Sequence, residues 1–136
     1  MWIERIAAIE AHGLEPQVEP SIERWFTHSF RSSHPEIVDN MRAMIRATSL
    51  QGYLGCAMAM RDMRLESLAP HIAQPTLILV GRDDRSTPVA EAQALHAAIP
   101  GSQIEVIEHA AHLPNIEQPS RFNAVLSSFL DAHAIA

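Results

Sequence analysis

The sequence has no Gly-x-Ser-x-Gly, a single cysteine, and no apolar run approaching the roughly 18 residues of a membrane span. Each absence excludes something. Without Gly-x-Ser-x-Gly there is no serine nucleophile on a strand–turn–helix elbow. With Cys56 alone no internal disulfide can form, which fits a reducing compartment and an expected cytoplasmic location. Basic residues are scarce: 10 Lys and Arg stand against 16 Asp and Glu, a formal net charge of −6. Nucleic acid is therefore not an expected partner, because it requires a basic surface. The eight histidines could add positive charge at mildly acidic pH, but they are scattered. Met1-Trp2-Ile3-Glu4-Arg5 carries an acid early and no long apolar run, so a signal peptide is not expected there.

What is present is globular: 47% of the 136 residues are hydrophobic, enough for one ordinary domain. The first seventy residues read as helices. Residues 2–12 place Trp2, Ile3, Ile6 and Ile9 at helical spacing, with Gly13 as the stop. Residues 15–20 form a connector with two prolines. Residues 21–30 set Ile22, Trp25, Phe26 and Phe30 on adjoining turns of a second helix. Ser33 caps a third, with Pro35 in its first turn and Ile37, Val38, Met41, Met44 and Ile45 on its buried face. A fourth helix over 50–61 turns Tyr53, Leu54, Ala57 and Met58 to one side, and a short segment covers 65–70.

The pattern changes after Ile72. Thr76-Leu77-Ile78-Leu79-Val80 is short and apolar throughout, as a parallel strand covered on both faces should be. Ser86-Thr87-Pro88 reads as a cap followed by proline at the first helical position, opening a helix to about residue 99. Pro100-Gly101 breaks it, and residues 103–108 alternate as an edge-type strand. A last helix over 119–132 buries Phe122, Val125, Leu126, Phe129 and Leu130. Strand–helix–strand–helix predicts a right-handed parallel crossover. The expected organisation is a helical region over 1–70 and a β-α-β-α unit over 71–136. Two strands cannot cover such apolar helices, so the second unit needs more sheet than it owns.

In open parallel sheets, functional groups gather at the carboxyl ends of strands. Asp84 lies four residues after Val80, and His112 four after Glu108, so adjacent strands present both on one edge. A carboxylate there would accept the Nδ1 proton of the imidazole, leaving Nε2 as a general base toward a nucleophile. Asp83 competes with Asp84 for the acid role. Asp84 is preferred, for its spacing from Gly81 and Pro88. His109 reads as a loop histidine. No metal is expected, since no helix presents His-x-x-x-His.

These loops resemble the C-terminal segment of α/β-hydrolase fold enzymes. The family pattern is Gly-x-x-Asp-x-x-x-Pro after one strand, then Gly-x-x-His-x-Pro after the next, followed by Glu-x-Pro. The chain has Gly81-Arg82-Asp83-Asp84-Arg85-Ser86-Thr87-Pro88, then His109-Ala110-Ala111-His112-Leu113-Pro114, then Glu117-Gln118-Pro119. His109 stands where the family usually has glycine. In the helical region Glu23-Arg24-Trp25-Phe26-Thr27, His34-Pro35-Glu36, Gly52-Tyr53 and residues 56–62 resemble the lid of 3-oxoadipate enol-lactonases. The resemblance implies an α/β protein with a partial α/β-hydrolase fold. It also implies a Ser-Asp-His hydrolase opening an enol-lactone ring in aromatic catabolism, without a cofactor.

On that reading the nucleophile-bearing half is absent from these 136 residues, and the chain alone is expected to be inactive. An N-terminal half or a second copy of the chain is the expected protein partner, and a small lactone or ester the substrate. Trp25 and Tyr53 are candidate pocket residues, and Arg61 a candidate anchor for a substrate carboxylate, which a guanidinium matches bidentately. Cys56 reads as a small buried residue. Other readings are a different esterase, a haloperoxidase-like or carbon–carbon hydrolase sharing the same two loops, or a non-catalytic helical association module.

Overall fold

The computed structural model describes residues 2–133. Five helices come first: α1 (Trp2–His12), α2 (Val18–Trp25), α3 (His28–Ser33), α4 (Pro35–Ala47) and α5 (Leu50–Asp62). After a 3₁₀ turn at Glu66–His71 follow β1 (Leu77–Gly81), α6 (Val89–Ala98), β2 (Gln103–Ile107), α7 (Pro114–Glu117) and α8 (Pro119–Ala132). The two strands pair in parallel, Leu77 opposite Gln103 and Gly81 opposite Ile107. Among the described residues no helix is long and apolar enough to cross a membrane.

Helix α1 buries Ile6 and Ile9 against Leu54 and Ala57 of α5. It ends at Gly13, whose φ of +72° is cheap only for glycine and whose N–H closes on the Ile9 carbonyl at 2.8 Å. A second cluster joins Val18, Ile22, Phe26 and Phe30 to Val38 and Ile45 of α4, and Leu113 and Ile116 pack on it from the far end of the chain. Phe26 and Phe30 stack with ring centroids 5.2 Å apart.

Several elements differ from the pattern in the sequence. The apolar spacing over 21–30 predicts one helix, but the chain breaks at Phe26, whose ψ of 144° is extended. Thr27 then caps α3, its hydroxyl accepting the Phe30 N–H at 3.2 Å. Pro20 falls inside the first turn of α2, where no intrahelical donor is lost. Ser33 ends α3 with its hydroxyl on the Ser29 carbonyl, so His34 stands at the cap of α4 and Pro35 opens it. Pro88 is the cap of α6 rather than its first residue, because Thr87 is turned toward Asp84. Met44 is 50% exposed, on the solvent side of α4, and Cys56 is also exposed. The short helix α7 has no periodic signal in its four residues.

The strands are barely covered. Only Val80 and Gly81 of β1 are buried, α6 has no buried residue, and α8 buries Phe129 alone. Phe122, Val125, Leu126 and Leu130 remain half-buried. A two-stranded sheet has too little surface to bury helices on both faces.

Candidate active site

The site starts where β1 ends. Gly81 has no room for a side chain: a Cβ there would lie 2.0 Å from the Ala111 carbonyl oxygen and 2.4 Å from that of Ala110. The histidine loop can therefore lie directly on the strand end. The Arg82 N–H donates to the Ile107 carbonyl and the Asp83 N–H to the Ala110 carbonyl, each at 2.9 Å. These bonds stitch the two loops together and turn Asp84 inward.

Asp84 is 8% exposed. Its Oδ1 accepts the Ser86 N–H at 2.7 Å and the Thr87 N–H at 3.0 Å. Its Oδ2 accepts the Thr87 hydroxyl at 2.9 Å and lies 2.8 Å from His112 Nδ1. Burial opposes ionisation of this carboxyl. The hydrogen bonds from His112, from the Thr87 and Ser86 backbone and from the Thr87 hydroxyl outweigh it and hold Asp84 below the ordinary carboxylate range. An ionised carboxylate only accepts, so the proton of the pair is assigned to Nδ1 and the Nε2 lone pair is left free. The His112 side chain is 34% exposed while that of Asp84 is 4% exposed. The pair is thus a buried acid that orients a half-open base.

Of the two neighbouring acids, the structure brings Asp84 to the imidazole and leaves Asp83 exposed. His109 adopts φ +56°, the left-handed conformation that glycine takes most easily, and its carbonyl accepts the Gln118 side-chain amide at 3.2 Å. A cavity of about 680 Å³ opens beside Asp84. One wall is Phe26, Thr27, His28 and Arg31, and the other runs from Arg82 to Arg85.

Trp25, Tyr53 and Arg61 are not on the walls of that cavity. Trp25 packs half-buried on the Phe26 cluster, and its carbonyl accepts the Leu113 N–H at 3.2 Å. Tyr53 packs on the α1–α5 cluster, with the Arg5 guanidinium 5.9 Å from its ring centroid. Arg61 makes a bidentate pair with Asp62, both nitrogens at 2.7 Å, on an open surface.

Two residues at the site carried no role in the sequence reading. In the sequence Thr87 reads as part of a helix cap. Asp84 followed by hydroxyl residues two and three positions on, Ser86 and Thr87, is the signal of a turn closed on the carboxylate. Glu117 is the other. It is 7% exposed, and its carboxylate accepts the Thr27 N–H at 2.9 Å, the Thr27 hydroxyl at 2.7 Å and the Ala111 N–H at 2.5 Å.

Comparison with known proteins places this geometry. The model of the alpha/beta hydrolase fold matches residues 10–119. The chain is 33% identical over 129 residues to 3-oxoadipate enol-lactonase 2 of Acinetobacter baylyi, covering 95% of itself and 48% of that protein. The crystal structure of the enol-lactonase from Burkholderia xenovorans LB400 superposes with a TM-score of 0.92 at 26% identity, over 96% of this chain and 50% of the other. A thermophilic esterase from Thermogutta terrifontis superposes with a TM-score of 0.86 at 32% identity, over 93% of this chain and 47% of the esterase. The chain spans about half the length of the relatives it matches. With a parallel β-α-β-α unit, an acid loop and a histidine loop meeting at its strand ends, and these likenesses over nearly all its length, the chain belongs to the α/β-hydrolase fold family.

Proposed function

We propose that Asp84 and His112 are the acid and base of a Ser-His-Asp hydrolase that opens an enol-lactone of the 3-oxoadipate type. The observation that carries the reading is the 2.8 Å contact between His112 Nδ1 and the buried Asp84 carboxylate. The likeness to enol-lactonases supports the substrate class.

In this mechanism Nε2 of His112 takes the proton of a serine hydroxyl as that oxygen attacks the lactone carbonyl. The ring C–O bond breaks, the enol oxygen leaves with the proton returned by the imidazolium, and an acyl-serine remains. Water, deprotonated by the same Nε2, then releases the acid and regenerates the serine. Asp84 holds the tautomer and stabilises the imidazolium throughout. No step needs a cofactor. The serine and the donors of the oxyanion hole come from outside these 136 residues, and the helical region over 1–70 serves as the lid.

The test is to fuse or co-express the chain with the N-terminal half of a related enol-lactonase and follow lactone hydrolysis. Hydrolysis that falls by about 10³-fold or more in His112→Ala supports the reading. Hydrolysis of simple esters with no action on the enol-lactone replaces it with a general esterase. Hydrolysis untouched by His112→Ala removes the pair from the chemistry.

A further inference from the structure

We propose that Glu117 is a positioning residue whose buried carboxylate bonds the α2–α3 turn to the residue before His112 and so sets the imidazole against Asp84. The inference rests on the acid–base reading of that pair. A carboxylate is rarely left in the interior without a cation or a full set of donors. Glu117 has no ion-pair partner among the described residues, and three donors take its two oxygens: Thr27 N–H and hydroxyl on one, Ala111 N–H on the other.

The placement of those donors is what matters. Ala111 precedes His112, and its N–H is held by Glu117. Leu113 follows His112, and its N–H is held by the Trp25 carbonyl at 3.2 Å. The histidine is thus anchored on both sides, and both anchors lead to the turn between α2 and α3. Thr27 meanwhile caps α3 through the same hydroxyl that it donates to Glu117. A shift of the helical region would therefore reach the histidine loop through two links, the Trp25 carbonyl after His112 and the Glu117 carboxylate before it. Glutamine cannot replace it: its oxygen could accept from Thr27, but its NH₂ would face the Ala111 N–H, donor against donor.

The experiment is ¹⁵N–¹H NMR of the His112 ring in the full 136-residue chain, comparing the parent with Glu117→Gln and Asp84→Asn. In the parent we expect a downfield Nδ1 proton and the Nδ1–H tautomer. Asp84→Asn should remove both. Glu117→Gln should remove the downfield proton and shift the tautomer ratio several-fold toward Nε2–H, with the far-UV circular dichroism and the Phe26 and Phe30 ring signals unchanged. A folded Glu117→Gln that keeps the parent His112 spectrum overturns the positioning role while leaving the pair intact. A His112 spectrum that ignores Asp84→Asn overturns the pair itself, and the inference with it. If Glu117→Gln does not fold, Thr27→Val removes one donor and keeps both backbone donors. A smaller change of the same sign supports the role, and an unchanged His112 spectrum in that variant overturns it.

Discussion

Asp84 gathers four hydrogen bonds on two oxygens while almost wholly shielded from water. Its depressed ionisation has a consequence for stability. A carboxyl held below its unfolded value of about 3.9 contributes stability that is present above that value and is lost as pH falls through the folded value. Asp84→Asn should therefore cost about 1–3 kcal/mol at pH 7, from donors left facing an amide. The gap to the parent should narrow below about pH 4, as the parent loses its advantage. Urea unfolding at pH 7, 5 and 3 checks this, and a gap constant over that range would count against it. The exposed pairs, such as Arg46 with Glu15 and Arg82 with Glu108, should contribute little, since salt and side-chain entropy offset them. Thr87→Val tests the neighbour: one buried acceptor loses its donor, so about 1 kcal/mol should vanish in the same assay.

At the scale of elements, helix boundaries depend on contacts the local pattern does not contain. Residues 2–12 were readable because Ile6 and Ile9 recur at helical spacing and Gly13 supplies the left-handed stop. The break at Phe26 was not readable, since Trp25, Phe26 and Phe30 continue the apolar rhythm straight through it. What ends α2 is the demand of a carboxylate 90 residues away for the Thr27 N–H. Thr27→Ala should therefore cost more than an ordinary cap. It loses the cap, about 1 kcal/mol, and a donor to a buried anion, about 1.5–3 kcal/mol before relaxation. Phe26→Ala should cost about 3–5 kcal/mol, because its side chain is 1% exposed at the centre of the cluster that joins α2, α3 and α4. Thermal unfolding by circular dichroism measures both. The loops were more legible than the helices: Asp84 and His112 stand shortly after their strands, and parallel pairing brings two such positions to one edge whatever the helices do. Glu117 stands in the Glu-x-Pro pattern, but its role is not legible there, for the opposite reason. Its partners, Thr27 and Ala111, belong to different regions of the chain, and no spacing announces them.

For the molecule as a whole, the apolar surface is out of proportion to the sheet. Leu65 and Leu68 at the 3₁₀ turn and Leu95 on α6 are 53%, 55% and 45% exposed, and Leu77, Ile78 and Leu79 of β1 are only half-buried where the uniformly apolar strand predicted cover on both faces. The expectation failed because a sheet of two strands offers too little surface to pack apolar helices against both of its faces. A combined Leu68→Gln, Leu95→Gln chain should bind less of a hydrophobic dye and self-associate less in sedimentation velocity. Its unfolding free energy should stay within about 1 kcal/mol of the parent, since both side chains are about half exposed.

Gly81 carries one more implication. The side chains of β1 from Leu77 to Val80 are all apolar, so its own sequence protects it poorly against sliding along β2, since each register sets an apolar residue of β1 opposite the same β2 positions. A slip of one residue would exchange the two faces of β1. A slip of two keeps the faces but brings Leu79 or Asp83 to the point where a Cβ meets a carbonyl oxygen at 2.0 Å. Only the register that puts a residue without a side chain beneath the histidine loop is free of collision. The glycine thus works as an alignment key, admitting a single meshing of the two strands and so a single relation between the acid and the base that follow them.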